Sequence, residues 1–409
     1  MRKHVHLVSG LALLVWLLLL PTAPASGLGV TYTYTVNSTA DPGVGTCNAT
    51  ECTLREAITQ ANGDGDVTNI AFNIPAGGGY NPSTGVWTIQ LTSALPALTE
   101  NGTGIMGSTQ TGNQGDTNPY GPEIVVNGAS SYDCFNLSSA NNTIEGLAIN
   151  ECLSAIMILG SGAHHNNISG NYIGLDAQGT AAPGNMKVGI DIDSASDNII
   201  GGGTANARNI VSSNGWQGVW IHGDGADRND ISGNYIGTDS SGRVDVGNVE
   251  SGVQIGGGAQ DNQIGPDNII AYNEGGGVFI SGSTTISNTI TQNSIHSNVG
   301  KGIHLSGDGA NGNLAAPYDA VAICLGGSAL SGSDLQWEAF SDFNGEGRFF
   351  ESTGGTASGS FSFFPANDLF RYPSVTLTVT DGSGNTSEFS EPVPSGCLFR
   401  YLPLSMKGY

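Results

Sequence analysis

Between residues 134 and 306 the apolar positions recur in one short pattern. A small residue opens a run of the form Gly-aliphatic-x-aliphatic at Ala155-Ile-Met-Ile158, Gly189-Ile-Asp-Ile192, Gly218-Val-Trp-Ile221, Gly252-Val-Gln-Ile255, Gly277-Val-Phe-Ile280 and Gly302-Ile-His-Leu305. Cys134-Phe-Asn-Leu137 reads as an earlier, degenerate copy. Successive starts lie 21, 34, 29, 34, 25 and 25 residues apart. The two long steps share an insertion, Gly174-Leu-Asp-Ala-Gln-Gly179 running on to Asn185 and Gly237-Thr-Asp-Ser-Ser-Gly242 running on to Asn248. Without it each unit is about two dozen residues, the length of one solenoid coil.

Each unit carries three short strand candidates, as in Val253-Gln-Ile255, Asn262-Gln-Ile264 and Asn268-Ile-Ile270, rich in Ile and Val and bounded by Gly, Asn, Asp or Ser. That is strand-and-turn punctuation. Three strands per coil, stacked on their copies in the next coil, predict an all-β fold, a right-handed parallel β-helix. Alternation sends the aliphatic side chains inward and the x positions outward.

The flanks follow a different pattern. Met1-Arg-Lys-His4 is basic, Val5 to Leu20 is nearly all apolar, and Ala23-Pro-Ala25 has the small-x-small form of a cleavage site. This predicts a signal peptide over residues 1–25, too short in its apolar run for a full membrane span. Val30 to Val36 alternates as a first strand. In Cys52-Thr-Leu-Arg-Glu-Ala-Ile58, Thr53 and Glu56 form a capping box, and Leu54, Ile58 and Ala61 share a helical face. An N-terminal strand and capping helix over 26–70 would cover the open apolar end of a β-helix spanning 71–312, which gives Arg55 and Glu56 a structural role. Beyond Asn313 the period is lost. Leu335-Gln-Trp-Glu-Ala-Phe340, Ser360-Phe-Ser-Phe-Phe364 and Val375-Thr-Leu-Thr-Val379 alternate between turns, predicting a small antiparallel β-sandwich over 313–396 and a tail over 397–409.

Composition narrows the partners. Asp plus Glu number 35 against 12 Lys plus Arg, a net charge of −23, which argues against nucleic acid and anionic membranes. Charged residues are only 11% of the chain, so the surface is mostly Gly, Asn, Ser and Thr. Six cysteines on an exported chain allow three disulfides. The expected pairs are Cys47–Cys52, Cys134–Cys152 and Cys324–Cys397. For the middle pair, the coil step of 21 residues sets Cys152 beside position 131, one layer from Cys134. No pattern specifies an oligomeric state.

Thr35-Val-Asn-Ser-Thr39, Cys52-Thr-Leu-Arg-Glu-Ala-Ile58, Ile89-Gln-Leu-Thr-Ser-Ala-Leu-Pro-Ala-Leu98, Asn171-Tyr-Ile-Gly174 and Asn234-Tyr-Ile-Gly-Thr-Asp239 together resemble secreted bacterial β-helix repeat proteins with an N-terminal Cys-Ser-Leu-Arg-Glu-Ala domain. Thr53 stands where that domain usually has Ser. The resemblance covers most of residues 30 to 312. It implies a pectin-lyase-like β-helix outside the cell or on its surface, and no particular activity. Asp381-Gly-Ser-Gly-Asn-Thr-Ser-Glu-Phe389 resembles the last hairpin of the Ig-like modules that follow such β-helices.

Aligning the strand starts gives an outward column, Asn136, Met157, Asp191, Trp220, Gln254, Phe279 and His304, and a second two residues on that includes Asp193 and His222. Stacking would gather Asp191, Asp193, Trp220 and His222 in one patch. Trp220, Gln254, Phe279 and His304 suit the C–H faces and hydroxyls of a glycan. Asp191 and Asp193 could accept sugar hydroxyls or hold a hard cation. In an enzyme, Asp191, Asp193 and His222 would be the acid/base groups. A solvated face with scattered aromatics is the plainer alternative. Against a lyase, the coil cations Lys187, Arg208, Arg228, Arg243 and Lys301 neither repeat nor cluster in the strand columns. An adjacent Asp-Asp pair and a Gly-His-Gly, as in polygalacturonases, are also missing from the sequence. Asn171, Asn234 and Asn293 sit at equivalent turns and are expected to form a hydrogen-bonded ladder. Asp342, Asn344 and Glu346 open like a Ca2+ loop, but Thr353 stands where the bidentate Glu belongs, so an acidic turn is the plainer reading. The expectation is therefore a secreted or cell-surface binding and structural protein that recognises glycans. The alternative is a polysaccharide lyase, hydrolase or epimerase working through the Asp/Trp/His patch.

Overall fold

The computed structural model describes residues 31–395, apart from residues 43, 44, 66, 324, 325, 333, 344, 345, 357, 358 and 368. The repeat folds as the alternation requires. Three sheets run side by side along the coils: sheet A with nine strands from Tyr32–Val36 to Thr289–Ile290, sheet B with nine from Tyr80–Asn81 to Ser294–His296, and sheet C with seven from Phe135–Leu137 to Ile303–Ser306. Among the described strands of these sheets, the pairings between coils are parallel, and the antiparallel pair joins Tyr80–Asn81 to Val86–Gln90. The architecture is a parallel β-helix of three strands per coil.

Register places like on like. Ile192, Ile221, Ile255 and Ile280 pair rung to rung in sheet C and are fully buried. No coil could hide these side chains alone, so each rung's burial depends on its neighbours. The recurrent small residue has a steric cause. A Cβ on Gly189, Gly218 or Gly277 would come within 2.5–2.7 Å of the backbone oxygen of the next coil's glycine. At these three positions the next coil lies too close for a side chain.

The corners are held by asparagine. The expected ladder exists and is longer than the repeated motif shows: Asn171, Asn209, Asn234, Asn268 and Asn293 pass hydrogen bonds from coil to coil. Two further ladders stand at the other corners. One runs from Asn142 through Asn166, Asn198, Asn229, Asn262 and Asn288 to Asn311. The other comprises Asn185, Asn214, Asn248, Asn273 and Asn298. In each, a side-chain oxygen accepts from the backbone N–H and the amide of the preceding ladder Asn, as Asn234 does from Asn209. Residues just before ladder positions take left-handed backbone, with φ of 56° at Arg228 and 63° at Tyr272. That conformation costs roughly 1–2 kcal/mol per residue, which the satisfied buried amides help to offset.

Both ends are covered. Helix α1 (Leu54–Asp64) begins with a complete capping box between Thr53 and Glu56 and buries Leu54, Ala57, Ile58 and Ala61 in the β-helix core. Arg55, also buried, forks onto Asp41 and donates to the Ser93 and Ala94 carbonyls. A second short helix, α2 (Thr109–Gln114), lies against the strand Thr68–Phe72. At the far end Phe389 packs against the core. The C-terminal part is antiparallel: Tyr318–Ile323, Gly326–Leu330 and Ser360–Phe363 form one sheet, and Phe349–Thr356, Leu335–Asp342, Ser374–Thr380 and Val393–Pro394 the other. They share a core of their own containing Trp337, Phe361, Phe363 and Leu377. Acidic side chains join this sandwich to the last coil. Glu338 accepts from Thr291 and from the Gln292 N–H, Glu346 from the Ser297 N–H, and Glu388 from Lys301 and the Leu305 N–H.

Cys47–Cys52 and Cys134–Cys152 are disulfides, the latter with a Cα–Cα distance of 5.7 Å. The local step differs from the expected one: Asn150 pairs with Asn127 in sheet B, so Cys152 stacks near residue 129 rather than 131 and still reaches Cys134. Cys324 and Cys397 lie outside the described residues. Among the described residues no helix is long and apolar enough to cross a membrane.

Candidate functional site on sheet C

The register of sheet C assembles the outward column in full. Asn136, Met157, Asp191, Trp220, Gln254, Phe279 and His304 are successive Cα partners, and Asp193 pairs with His222 in the second column. Parallel strands set successive members about 4.8 Å apart.

Chemistry concentrates at the Asp191–Trp220 rung. His222 Nε2 lies 2.9 Å from Asp191 Oδ1, and His222 Nδ1 lies 3.9 Å from Asp193 Oδ1. The Trp220 and His222 rings stack with centroids 3.8 Å apart, 22° from parallel. Ser194 donates its hydroxyl to Asp193 Oδ1 at 2.9 Å. Burial lowers the imidazole pKa, but the hydrogen bond and charge of Asp191, with the charge of Asp193, outweigh it and leave His222 above its ordinary value. The site is an imidazole between two carboxylates, stacked on one side by an indole.

Placement refines the sequence reading. Asp191 sits on an outward position, yet its side chain is only 12% exposed because it is engaged by His222. Asp193 remains open, with 46% of its side chain exposed. Trp220, Gln254, Phe279 and His304 are half-buried. Phe279 and His304 meet edge to face at 5.1 Å. Gln254 accepts from Gln217, which also donates to Glu250. Gln217 and Glu250 belong to the face but escaped the sequence reading: they precede their glycines by one and two residues, where coil lengths vary. Their only signal is proximity to the repeat. Lys187 lies over Trp216, 5.7 Å from the ring centroid.

The coil cations find partners elsewhere. Arg228 pairs with Asp197, Lys301 with Glu388, and Arg208 stacks on Tyr235. Among the described residues no hydrogen bond or ion pair joins any of them to Asp191, Asp193 or His222. In the acidic turn, Asp342 accepts from the Arg348 N–H, while Glu346 is spent on Ser297. Asn344 lies outside the described residues. Glu351 accepts from Ser341 and from the N–H groups of Ala366 and Arg371, an internal tie. Among the described residues no three His, Cys, Asp or Glu side chains converge as metal ligands. His164 and His165 bond to each other through Nδ1 at 2.8 Å. No family model matches the chain, and no curated protein does.

Proposed function

We propose that the chain is an exported β-helix protein, related to the Cys-Ser-Leu-Arg-Glu-Ala-domain proteins it resembles, and that the outer face of sheet C binds glycans without cleaving them. The observation that carries this reading is the in-register file Asp191, Trp220, Gln254, Phe279 and His304. It alternates hydrogen-bonding groups with aromatic rings along the coils. Polar groups beside ring faces match a sugar's hydroxyls and C–H faces. The file repeats at nearly the length of one sugar in an extended chain. Two disulfides fit an oxidising compartment.

The second reading, a polysaccharide lyase, hydrolase or epimerase, draws on the Asp191–His222–Asp193 cluster, since a protonated imidazole beside an open carboxylate is a general acid with a base at hand. Weighing against it, the imidazole is already tied to Asp191 at 2.9 Å, and among the described residues no Arg or Lys pairs with these groups to neutralise a uronate. A direct experiment incubates the full chain with neutral and uronate-containing polysaccharides, with Ca2+ present, and follows both retention and new reducing or unsaturated ends. Retention without new ends is expected. Ends that form with the wild type and vanish in Asp191→Ala would overturn the binding reading.

A further inference from the structure

A concave feature lies away from sheet C. Where α2 and the loop 202–208 overhang the corner between sheets A and B, a cleft of about 380 Å3 opens. That falls within the roughly 300–1,000 Å3 of small-ligand sites. Its polar walls are Ser108, Thr111, Glu123, Glu145, Tyr172 and Arg208. The fold builds these walls with care. Ser108 and Thr111 are three residues apart, on one side of the α2 turn. Ser108 donates to Glu145 at 2.5 Å and Thr111 donates to Glu123, so one helical turn draws both carboxyl groups to the same wall. Glu123 is only 3% exposed, and burial raises its carboxyl above the ordinary range despite the Thr111 hydrogen bond. At the floor, Gly170 has φ of 68°, and a Cβ there would sit 2.6 Å from the Asn206 carbonyl oxygen. A side chain would push the loop away.

Arg208 is the group that this architecture leaves unexplained. Its Nε donates to the Gly233 carbonyl at 3.0 Å, and its guanidinium stacks on Tyr235 with 4.1 Å to the ring centroid. The fork is thus held flat from below. Among the described residues it makes no ion pair, in a chain where acids outnumber bases 35 to 12. Glu145 likewise takes one hydrogen bond, at Oε1, and none at its second oxygen among the described residues. A positioned donor fork, an acceptor with capacity to spare and a tyrosine ring whose hydroxyl is anchored to Tyr120 form a set that matches vicinal hydroxyls on a ring with C–H faces. Two carboxyl groups and the overall negative charge disfavour an anion there.

We propose that this cleft is a saccharide subsite separate from sheet C, taking an end unit of a neutral glycan. Glu145 accepts from its hydroxyls, Arg208 donates to its oxygens and Tyr172 packs against the ring. This does not depend on sheet C binding anything.

Calorimetric titration of the full chain with maltose, cellobiose, xylobiose and mannobiose, with digalacturonate as the anionic control, tests it. At least one neutral disaccharide should bind. In a Trp220→Ala background, which removes the sheet C ring platform, that binding should persist, and Glu145→Gln and Arg208→Lys should each weaken it tenfold or more with melting temperatures unchanged. If either variant unfolds, Asn206→Trp on the exposed rim obstructs the cleft while leaving Glu145 and Arg208 in place, and should have the same effect. The proposal is overturned if no neutral disaccharide binds, if digalacturonate binds more tightly, if binding survives the cleft variants, or if Trp220→Ala abolishes it.

Discussion

His222 is where sequence and structure part most instructively at the scale of one residue. Strand alternation places Asp191 and Asp193 on the outside of sheet C and sets His222 one rung from Asp193. It cannot say that the imidazole reaches sideways to Asp191 and beneath Trp220, because that turn is a choice of side-chain rotamer made by contacts across two strands. A carboxylate that looks like a free acceptor is consequently already engaged by an imidazole. The pair has a pH signature. The folded-state pKa of His222 is raised, so its stabilisation is complete below the unfolded value of about 6.5 and is lost as pH climbs through the folded value. The melting-temperature gap between wild type and Asp191→Asn should therefore be widest near about pH 5.5 and narrow towards about pH 9. A gap that stays constant over that range would contradict the assignment.

At the scale of elements, the coils are legible because a rung is short and its aliphatic residues repeat. The pairings run Phe135 to Ile156, Ile190, Val219, Val253, Val278 and Ile303, as the strand spacing predicts. The Asn ladders are less legible. Asn171 and Asn234 announce themselves through the repeated Asn-Tyr-Ile-Gly, whereas Asn209 and Asn268 belong to the same ladder without it. The other two ladders sit at corners where insertions such as 174–185 break the count. Each rung is a buried amide whose partners are backbone groups of adjacent coils. Asn234→Ala would orphan the Asn209 N–H and the Ile200 carbonyl, at roughly 1–3 kcal/mol for each buried group left unpaired. Urea unfolding should show a loss of about 2–6 kcal/mol for Asn234→Ala, against a change within about 0.5 kcal/mol for the exposed Asn206→Ala. Equal effects would mean that the ladder is ornamental.

For the whole molecule, composition and patterning locate the β-helix, the covering helix and the antiparallel C-terminal sheets, since each rests on local alternation. The seam between coil and sandwich has no such signature. Glu338 on the sandwich finds the Gln292 N–H of the last coils, and Glu388 finds the Leu305 N–H, across separations that no local pattern encodes. These carboxylates cap backbone groups that the ending solenoid would otherwise leave without a partner. The Asp342–Glu346 turn is drawn into the same seam through Ser297. Function is least legible at this scale, because a β-helix offers many outward files and only side-chain geometry separates them. The sheet C file is best tested by affinity electrophoresis of wild type and Trp220→Ala through gels containing the polysaccharide that retains the wild type, with chain ends assayed in the same gel. The expected result is a retardation weakened tenfold or more by Trp220→Ala and no new ends in either lane. Equal retardation of the two proteins, or fresh chain ends around the wild type, would contradict the account.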